Sequence, residues 1–115
     1  MMNQILQEQL YETMDNSRNC LTIVEGKNDK KALERFGFSN IRTLNKALFK
    51  VVEEIDSEEV IILTDLDAYG KKLYRYFFHE CNKRGIKVNN RLRQILHFSE
   101  LRQIEGLPRY LERIA

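Results

Sequence analysis

Short apolar runs alternate with amphipathic segments along this chain of 115 residues. The run at 60–63 is β-branched and continuous, which is typical of a strand buried on both faces of a parallel sheet. The predicted strands cover residues 20–24, 41–44, 60–63 and 86–88. Helical segments lie between them, so the order β-α-β-α-β-α-β predicts an α/β fold with a mainly parallel four-stranded sheet and right-handed crossovers.

The amphipathic segments carry apolar residues three or four positions apart, as one face of a helix requires. Helices are predicted over residues 3–16, before Gly37, from 45 to about 55 and over 71–84. Past residue 89 the pattern weakens. A basic loop containing Arg91 and Arg93 follows the fourth strand, and a last helix opens at Ser99 or at 105–108 and ends near 114.

The third strand ends in two carboxylates, Asp65 and Asp67, and Gly70 then permits a tight turn. If the backbone stays extended, both carboxylates point the same way and Leu66 points into the core. Close like charges raise each other's pKa, and a hard cation such as Mg²⁺ removes that cost. Alternatively, Asp65 caps the next helix and Asp67 is a solvated turn residue.

The first strand ends in a similar way, in the sequence Glu25-Gly26-Lys27-Asn28-Asp29. Carboxyl ends of parallel strands share one edge of the sheet, where ligands bind in open α/β folds. Glu25 therefore meets Asp65 and Asp67 if the two strands are neighbours, and a Mg²⁺ site needs such oxygen ligands from separate loops. Asp29 is either a helix cap or a further ligand.

Composition favours a soluble globular protein, since 43% of residues are hydrophobic and 31% are charged. No apolar run approaches the roughly 20 residues of a membrane helix, and no basic start followed by an apolar core marks a signal peptide. We expect one domain over 1–115, a cytoplasmic location and no membrane partner. Cys20 and Cys81 are interpreted as buried thiols rather than zinc ligands or a disulfide.

Charge is distributed unevenly. Residues 71–98 hold eight Lys and Arg against one Glu, whereas residues 1–70 hold eight against thirteen Asp and Glu. A basic segment directly after an acidic pair suits a site that binds a metal and also meets phosphates, although a solvated helix face is the alternative. The candidates for phosphate or nucleic-acid contact are Gly26, Lys27, Gly70, Lys71 and Lys72, with Arg91 and Arg93 as candidates for backbone contacts.

The two motifs, residues 23–29 and 62–70, together resemble those of the Toprim domain family. They stand about 40 residues apart, with a βα unit between them as in that family. The resemblance covers about residues 19–98, with the helix 3–16 and the segment 99–115 as additions. It implies the Toprim fold, a Rossmann-like α/β/α sandwich.

The resemblance also implies roles. Glu25 would be the general acid or base and a metal ligand, and Asp65 and Asp67 would coordinate Mg²⁺, which Mn²⁺ could replace. The Glu-Gly-Lys-Asn-Asp motif is similar to that of the ribonuclease that matures 5S ribosomal RNA, whereas Asp-x-Asp followed by Gly70 resembles primases. Ala68 and Tyr69 stand where topoisomerases carry a further acid, so one metal is expected rather than two.

The leading hypothesis is Mg²⁺-dependent phosphodiester chemistry on nucleic acid, either RNA or DNA, by a nuclease or a nucleotidyl-transfer enzyme, with RNA slightly favoured. A protein partner could supply substrate specificity. A second hypothesis is a non-catalytic metal-binding module that acts within a larger complex. The third is a phosphatase of the haloacid-dehalogenase kind, but those enzymes carry the acidic pair on their first strand and Thr or Val where Tyr69 stands here.

Overall fold

A parallel sheet lies at the centre of the structure, a computed structural model that describes residues 2–115. Its strands among these residues are β1 (Leu21–Val24), β2 (Ile41–Thr43), β3 (Glu59–Ile62) and β4 (Lys87–Val88). They lie in the order β2-β1-β3-β4, and each neighbouring pair is parallel. The predicted α/β fold with a four-stranded parallel sheet is confirmed.

Helices connect the strands and follow the last one. They are α1 (Gln4–Ser17), α2 (Lys27–Glu34), α3 (Leu48–Glu53), α4 (Ala68–Lys83), α5 (Arg91–His97) and α6 (Leu107–Ile114), with a 3-10 turn at Ile104–Gly106. None of these helices is long and apolar enough to span a bilayer. Neither Cys81, which is buried, nor Cys20, which is half-buried, forms a disulfide within residues 2–115.

Apolar side chains cover both faces of the sheet because successive strand residues point to opposite sides. On β3, Ile61 packs with residues of α1, α2, α5 and α6, whereas Val60 and Ile62 pack with residues of α3 and α4. The continuous apolar run of this strand is therefore explained by burial on two sides. The layers form the α/β/α sandwich that the resemblance implied.

Helix α4 begins at Ala68, three residues earlier than predicted, and contains Gly70 in its first turn. The Asp67 side chain caps it by accepting a hydrogen bond from the Gly70 N–H at 2.8 Å. A Cβ atom on Gly70 would overlap the carbonyl oxygen of Asp65. Gly70 is therefore required by the close approach of two backbone segments, and the predicted turn at this position is wrong.

The predicted basic loop after the fourth strand is also wrong, because residues 91–97 form α5. Leu92, Ile95 and Leu96 of this helix enter the core, and burial of this face stabilises a helix of only seven residues. The last helix begins at Leu107, with Pro108 in its first turn, where proline is tolerated. It ends at Ile114, near the predicted position.

The order of the strands creates a crevice at one edge of the sheet. From β1 the chain runs to β2 on one side, and β3 then lies on the other side of β1. The loops that follow β1 and β3 therefore run in opposite directions and leave a crevice between them. Ligands of open α/β sheets bind in such a crevice. Both acidic motifs follow these two strands.

Candidate functional site

Glu25 links the two motifs by a direct hydrogen bond. Strands β1 and β3 are neighbours, and their ladder continues through the Leu63 N–H to the Ile23 carbonyl at 2.8 Å. One step further, the Asp65 N–H donates to the Glu25 side chain at 2.7 Å. The Glu25 carboxylate thus occupies the position that the next backbone carbonyl would have taken in the ladder.

The loop that carries Asp65 and Asp67 is held by the segment before α6. The Asp65 carboxylate accepts a hydrogen bond from the Ile104 N–H at 2.9 Å. The Leu66 N–H donates to the Arg102 carbonyl at 2.7 Å, and the Leu66 side chain is buried, as expected. Both contacts use the main chain of residues 102–104, so the acidic loop is clamped between β1 and this segment.

Asp29 is buried and closes the first turn of α2. Its carboxylate accepts a hydrogen bond from the Gly26 N–H at 3.0 Å, and Gly26 is the residue that precedes the helix. A Cβ atom on Gly26 would meet only that carboxylate, at 3.9 Å, which is ordinary contact. The fold therefore does not demand glycine at this position of the Glu-Gly motif.

Carboxylates from three chain segments surround one open cavity of about 380 Å³. We call it the acidic depression; it is formed by Glu25, Asp29, Asp65 and Glu105, with Lys27 also on its wall. The sequence analysis did not single out Glu105, which belongs to the 3-10 turn. The residues around Glu105 indicated only the start of a helix, and Glu105 does not follow a predicted strand as Glu25 and Asp65 do.

Asp67 lies beside a different cavity, of about 410 Å³, whose other walls come from the segment 100–113. Gln103 lines both this cavity and the acidic depression. The structure therefore places the two carboxylates of the Asp-x-Asp motif on adjoining cavities, with Asp67 also serving as the cap of α4.

Burial and mutual repulsion disfavour negative charge in the acidic depression. Burial raises the pKa of Glu25, and the Asp65, Asp67 and Asp29 carboxylates raise it further, against the lowering effect of the Asp65 N–H. Burial also raises the pKa of Asp65 and of Asp29, and neighbouring carboxylates add to both shifts. A cation in the depression would relieve this repulsion.

The donor groups fit a hard divalent cation. Glu25, Asp65 and Asp67 each commit one carboxylate oxygen to a main-chain N–H, which leaves the second oxygen for another partner. Among residues 2–115, no three His, Cys, Asp or Glu side chains are gathered closely enough to hold a metal by themselves. Mg²⁺ does not need such a cage, because it usually keeps several waters and binds through one or two carboxylates.

Arg93 supports the site from behind. Its side chain is 8% exposed, and its guanidinium donates to the Thr64 carbonyl at 2.6 Å and to the Asp65 carbonyl at 3.0 Å. The guanidinium also lies over the Tyr74 ring, 4.6 Å from its centre. Arg93 was predicted as a surface contact for nucleic acid, but its buried hydrogen bonds make it a support for the end of β3.

The other basic candidates are exposed. Lys27 lies at the start of α2 on the wall of the acidic depression, Lys71 and Lys72 lie on α4, and Arg91 begins α5. Gly70 differs from them: it is buried, and Asp67 already occupies its N–H. A phosphate contact through the Gly70 amide would therefore have to displace the helix cap.

Comparison with known proteins agrees with this architecture. The Toprim domain model matches residues 19–90. A UPF0292 protein of Methanocaldococcus jannaschii is 34% identical over 79% of this chain and 77% of its own length. A UPF0292 protein of Methanosarcina acetivorans is 33% identical over 95% of this chain and 81% of its own length.

A solved structure of a protein from Aquifex aeolicus has the same fold, with a TM-score of 0.77. It is 34% identical in sequence, and the match covers 90% of this chain and 99% of that one. The family match spans more than half of the chain and includes both acidic motifs. The chain therefore belongs to the Toprim domain family, with UPF0292 proteins among its relatives.

Proposed function

We propose that this protein is a Mg²⁺-dependent nuclease, with RNA favoured over DNA. Membership of the Toprim family indicates metal-dependent chemistry on nucleic acid in general. The observation that carries the finer proposal is the hydrogen bond at 2.7 Å between the Glu25 carboxylate and the Asp65 N–H. It joins a candidate proton carrier to a candidate metal ligand at the edge of an open acidic depression.

In this proposal Asp65 and Asp67 hold the metal. When bound, Mg²⁺ supplies Lewis-acid stabilisation of the negative charge that develops at a scissile phosphate. Arg93 fixes the carbonyl groups of Thr64 and Asp65, and the segment 102–104 fixes the Asp65 carboxylate and the Leu66 amide. The ligands therefore lie on a loop whose main chain is fixed by hydrogen bonds on two sides.

Glu25 is the residue proposed to move a proton. Burial is the largest cause that raises its pKa above that of an ordinary glutamate, and burial remains when a cation offsets the repulsion from Asp65, Asp67 and Asp29. A carboxyl group whose pKa lies closer to the working pH is a better general acid or base. The hydrogen bond from Asp65 uses one oxygen of Glu25, which leaves the other oxygen to exchange a proton.

A second candidate function is a metal-binding module that acts without turnover inside a larger complex. The observation that favours it is that Glu25, Asp29, Asp65 and Asp67 each accept a hydrogen bond from a main-chain N–H. These carboxylates stabilise the loops through hydrogen bonds, and this role does not require catalysis.

A cleavage assay separates the two candidates. End-labelled structured RNA, single-stranded RNA and DNA, and duplex DNA are incubated with Mg²⁺, with Mn²⁺ or with EDTA. The variants Glu25→Gln and Asp65→Asn retain an oxygen that accepts the observed hydrogen bonds and lose only the charge. We expect metal-dependent cleavage that falls by about 10²- to 10⁴-fold in each variant. Glu34→Gln, on the exposed part of α2, is the matched control.

Cleavage at the wild-type rate by both site variants would refute the nuclease proposal. Absence of cleavage on every substrate, by protein that is folded and binds Mg²⁺ through Asp65, would support the binding module instead.

A further inference from the structure

The cavity beside Asp67 is built mainly from the segment that follows the family match, which ends at residue 90. We call it the arginine groove. Its walls include Asp67, Leu101, Arg102, Arg109, Tyr110 and Arg113. Asp67, at one end, adjoins the proposed metal site, and the other charged residues on the walls are three arginines and Glu100.

Arg109 and Arg113 of this groove can accept a new anionic partner, whereas Arg102 already donates to the carbonyls of Ser99 and Leu101. Arg109 is exposed, and none of the ion pairs among residues 2–115 involves it. Arg113 pairs with Glu100 at 3.1 Å, but both side chains are more than 60% exposed. Exposed ion pairs contribute little, so a phosphate can replace the Glu100 carboxylate at small cost. Guanidinium groups bind phosphate by paired hydrogen bonds.

The floor of the groove is apolar. Leu101 is 7% exposed and Tyr110 is 6% exposed. The cavity volume of about 410 Å³ lies in the range that accepts a drug-sized group, roughly 300 to 1,000 Å³. An apolar floor between guanidinium groups suits a nucleotide unit whose base lies on the floor and whose phosphates meet the arginines.

A neighbouring cavity of about 370 Å³ continues the groove. It shares Glu100, Tyr110 and Arg113 with the first cavity and extends to Ile114 and to Gln7 of α1. The continuous surface therefore leads from Asp67 across α6 to the N-terminal helix. Bases are open to such a floor only where they are unpaired, because a duplex keeps them stacked inside.

We infer that the arginine groove binds single-stranded nucleic acid and leads it to Asp67, with Arg109 contacting the phosphates near the scissile bond. The path of the nucleic-acid strand toward Asp67 rests on the proposed function. Gln103 lines both the groove and the acidic depression, so the strand passes from one to the other without leaving the surface. Substrate selection then belongs to the segment after residue 98 rather than to the acidic motifs.

Binding is tested separately from cleavage. Fluorescence anisotropy of labelled single-stranded RNA, single-stranded DNA and duplex DNA is measured in EDTA, on the Glu25→Gln background, over a range of salt concentrations. We expect Arg109→Ala to weaken single-strand binding about tenfold and to reduce the salt slope by about one. Arg109→Glu should weaken it further. The control Arg84→Ala changes an exposed arginine at the opposite end of α4 and should leave affinity within about twofold.

The outcomes separate this inference from the nuclease proposal. Wild-type affinity in both Arg109 variants, or an equal loss of affinity in Arg84→Ala, would overturn the inference that the arginine groove binds single strands. The proposal of metal-dependent cleavage would not be affected. If only the Arg109 variants lose binding and the wild-type protein cleaves no substrate, single-strand binding in the arginine groove is supported and the nuclease proposal is refuted. Preference for duplex over single strands would also overturn the inference.

Discussion

At the scale of single residues, Arg93 connects stability with the candidate site. It is a buried cation, yet among residues 2–115 no carboxylate forms an ion pair with it. Burial of an isolated charge is very unfavourable unless hydrogen bonds replace the lost water. The carbonyl groups of Thr64 and Asp65 supply them, and the positive charge in turn offsets part of the rise that burial causes in the pKa of Asp65.

We predict that Arg93→Lys lowers the free energy of unfolding by about 1 to 3 kcal/mol, because an ammonium group cannot bridge both carbonyl oxygens and stack on Tyr74. Urea denaturation in EDTA measures the change. The control is Arg84→Lys, an exposed arginine just past the end of α4, where we expect less than about 0.5 kcal/mol. Equal stability of the two variants would mean that the hydrogen bonds of Arg93 make no net contribution.

At the scale of secondary-structure elements, the Asp67 side chain belongs both to the start of α4 and to the candidate site. Asp67 caps the helix through the Gly70 N–H and also faces the cavity next to the proposed metal site. One carboxylate oxygen therefore caps the helix, while the other oxygen is available to a cation. The sequence analysis treated capping and metal binding as alternatives and assigned the cap to Asp65.

Two substitutions separate these roles. Asn caps helices about as well as Asp, so Asp67→Asn should preserve stability, whereas Asp67→Ala should lose about 1 kcal/mol. If Asp67 is a metal ligand, both variants lose metal-dependent activity to a similar degree. Chemical denaturation and the cleavage assay, run on the same samples, give the two readouts. An active Asp67→Asn variant would leave Asp67 with the cap alone.

The elements that were predicted correctly are those with a side-chain signature. The two central strands show apolar runs, and Glu25 and Asp65 follow them within two residues. Helix α5 was missed because its seven residues are too few to display a period, and two of its first three are arginines. The clamp at residues 102–104 was missed because it uses main-chain groups: the Arg102 carbonyl, which any residue could offer, and the Ile104 N–H, which any residue except proline could offer.

At the scale of the whole molecule, acidic groups from distant segments are concentrated at one edge of the sheet. Glu25, Asp29 and Asp65 all have a pKa above the ordinary value when the chain is folded. Such groups bind protons more readily in the folded state than in the unfolded state. Their contribution to stability is therefore present below the unfolded pKa and is lost as pH rises through the folded pKa.

We predict that the metal-free protein loses stability as pH rises from the ordinary carboxylate range toward neutrality, and that Mg²⁺ restores it at neutral pH. Thermal unfolding followed from pH 5 to 8, in EDTA and in Mg²⁺, measures both effects. Asp65→Asn removes one of the charges, so it should flatten the pH dependence and reduce the Mg²⁺ effect, whereas Glu34→Gln should not. A Mg²⁺ effect of full size in Asp65→Asn would contradict a metal site at this carboxylate.

The edges of the sheet bear on how the protein behaves at high concentration. The outer strands are the shortest, with three residues in β2 and two in β4, against four in each central strand. Each also carries a cationic side chain, Arg42 or Lys87. Long, flat, uncharged edges are templates for joining sheets from different molecules, and short charged edges oppose it. Concentrated protein is therefore expected to resist fibre growth by strand addition.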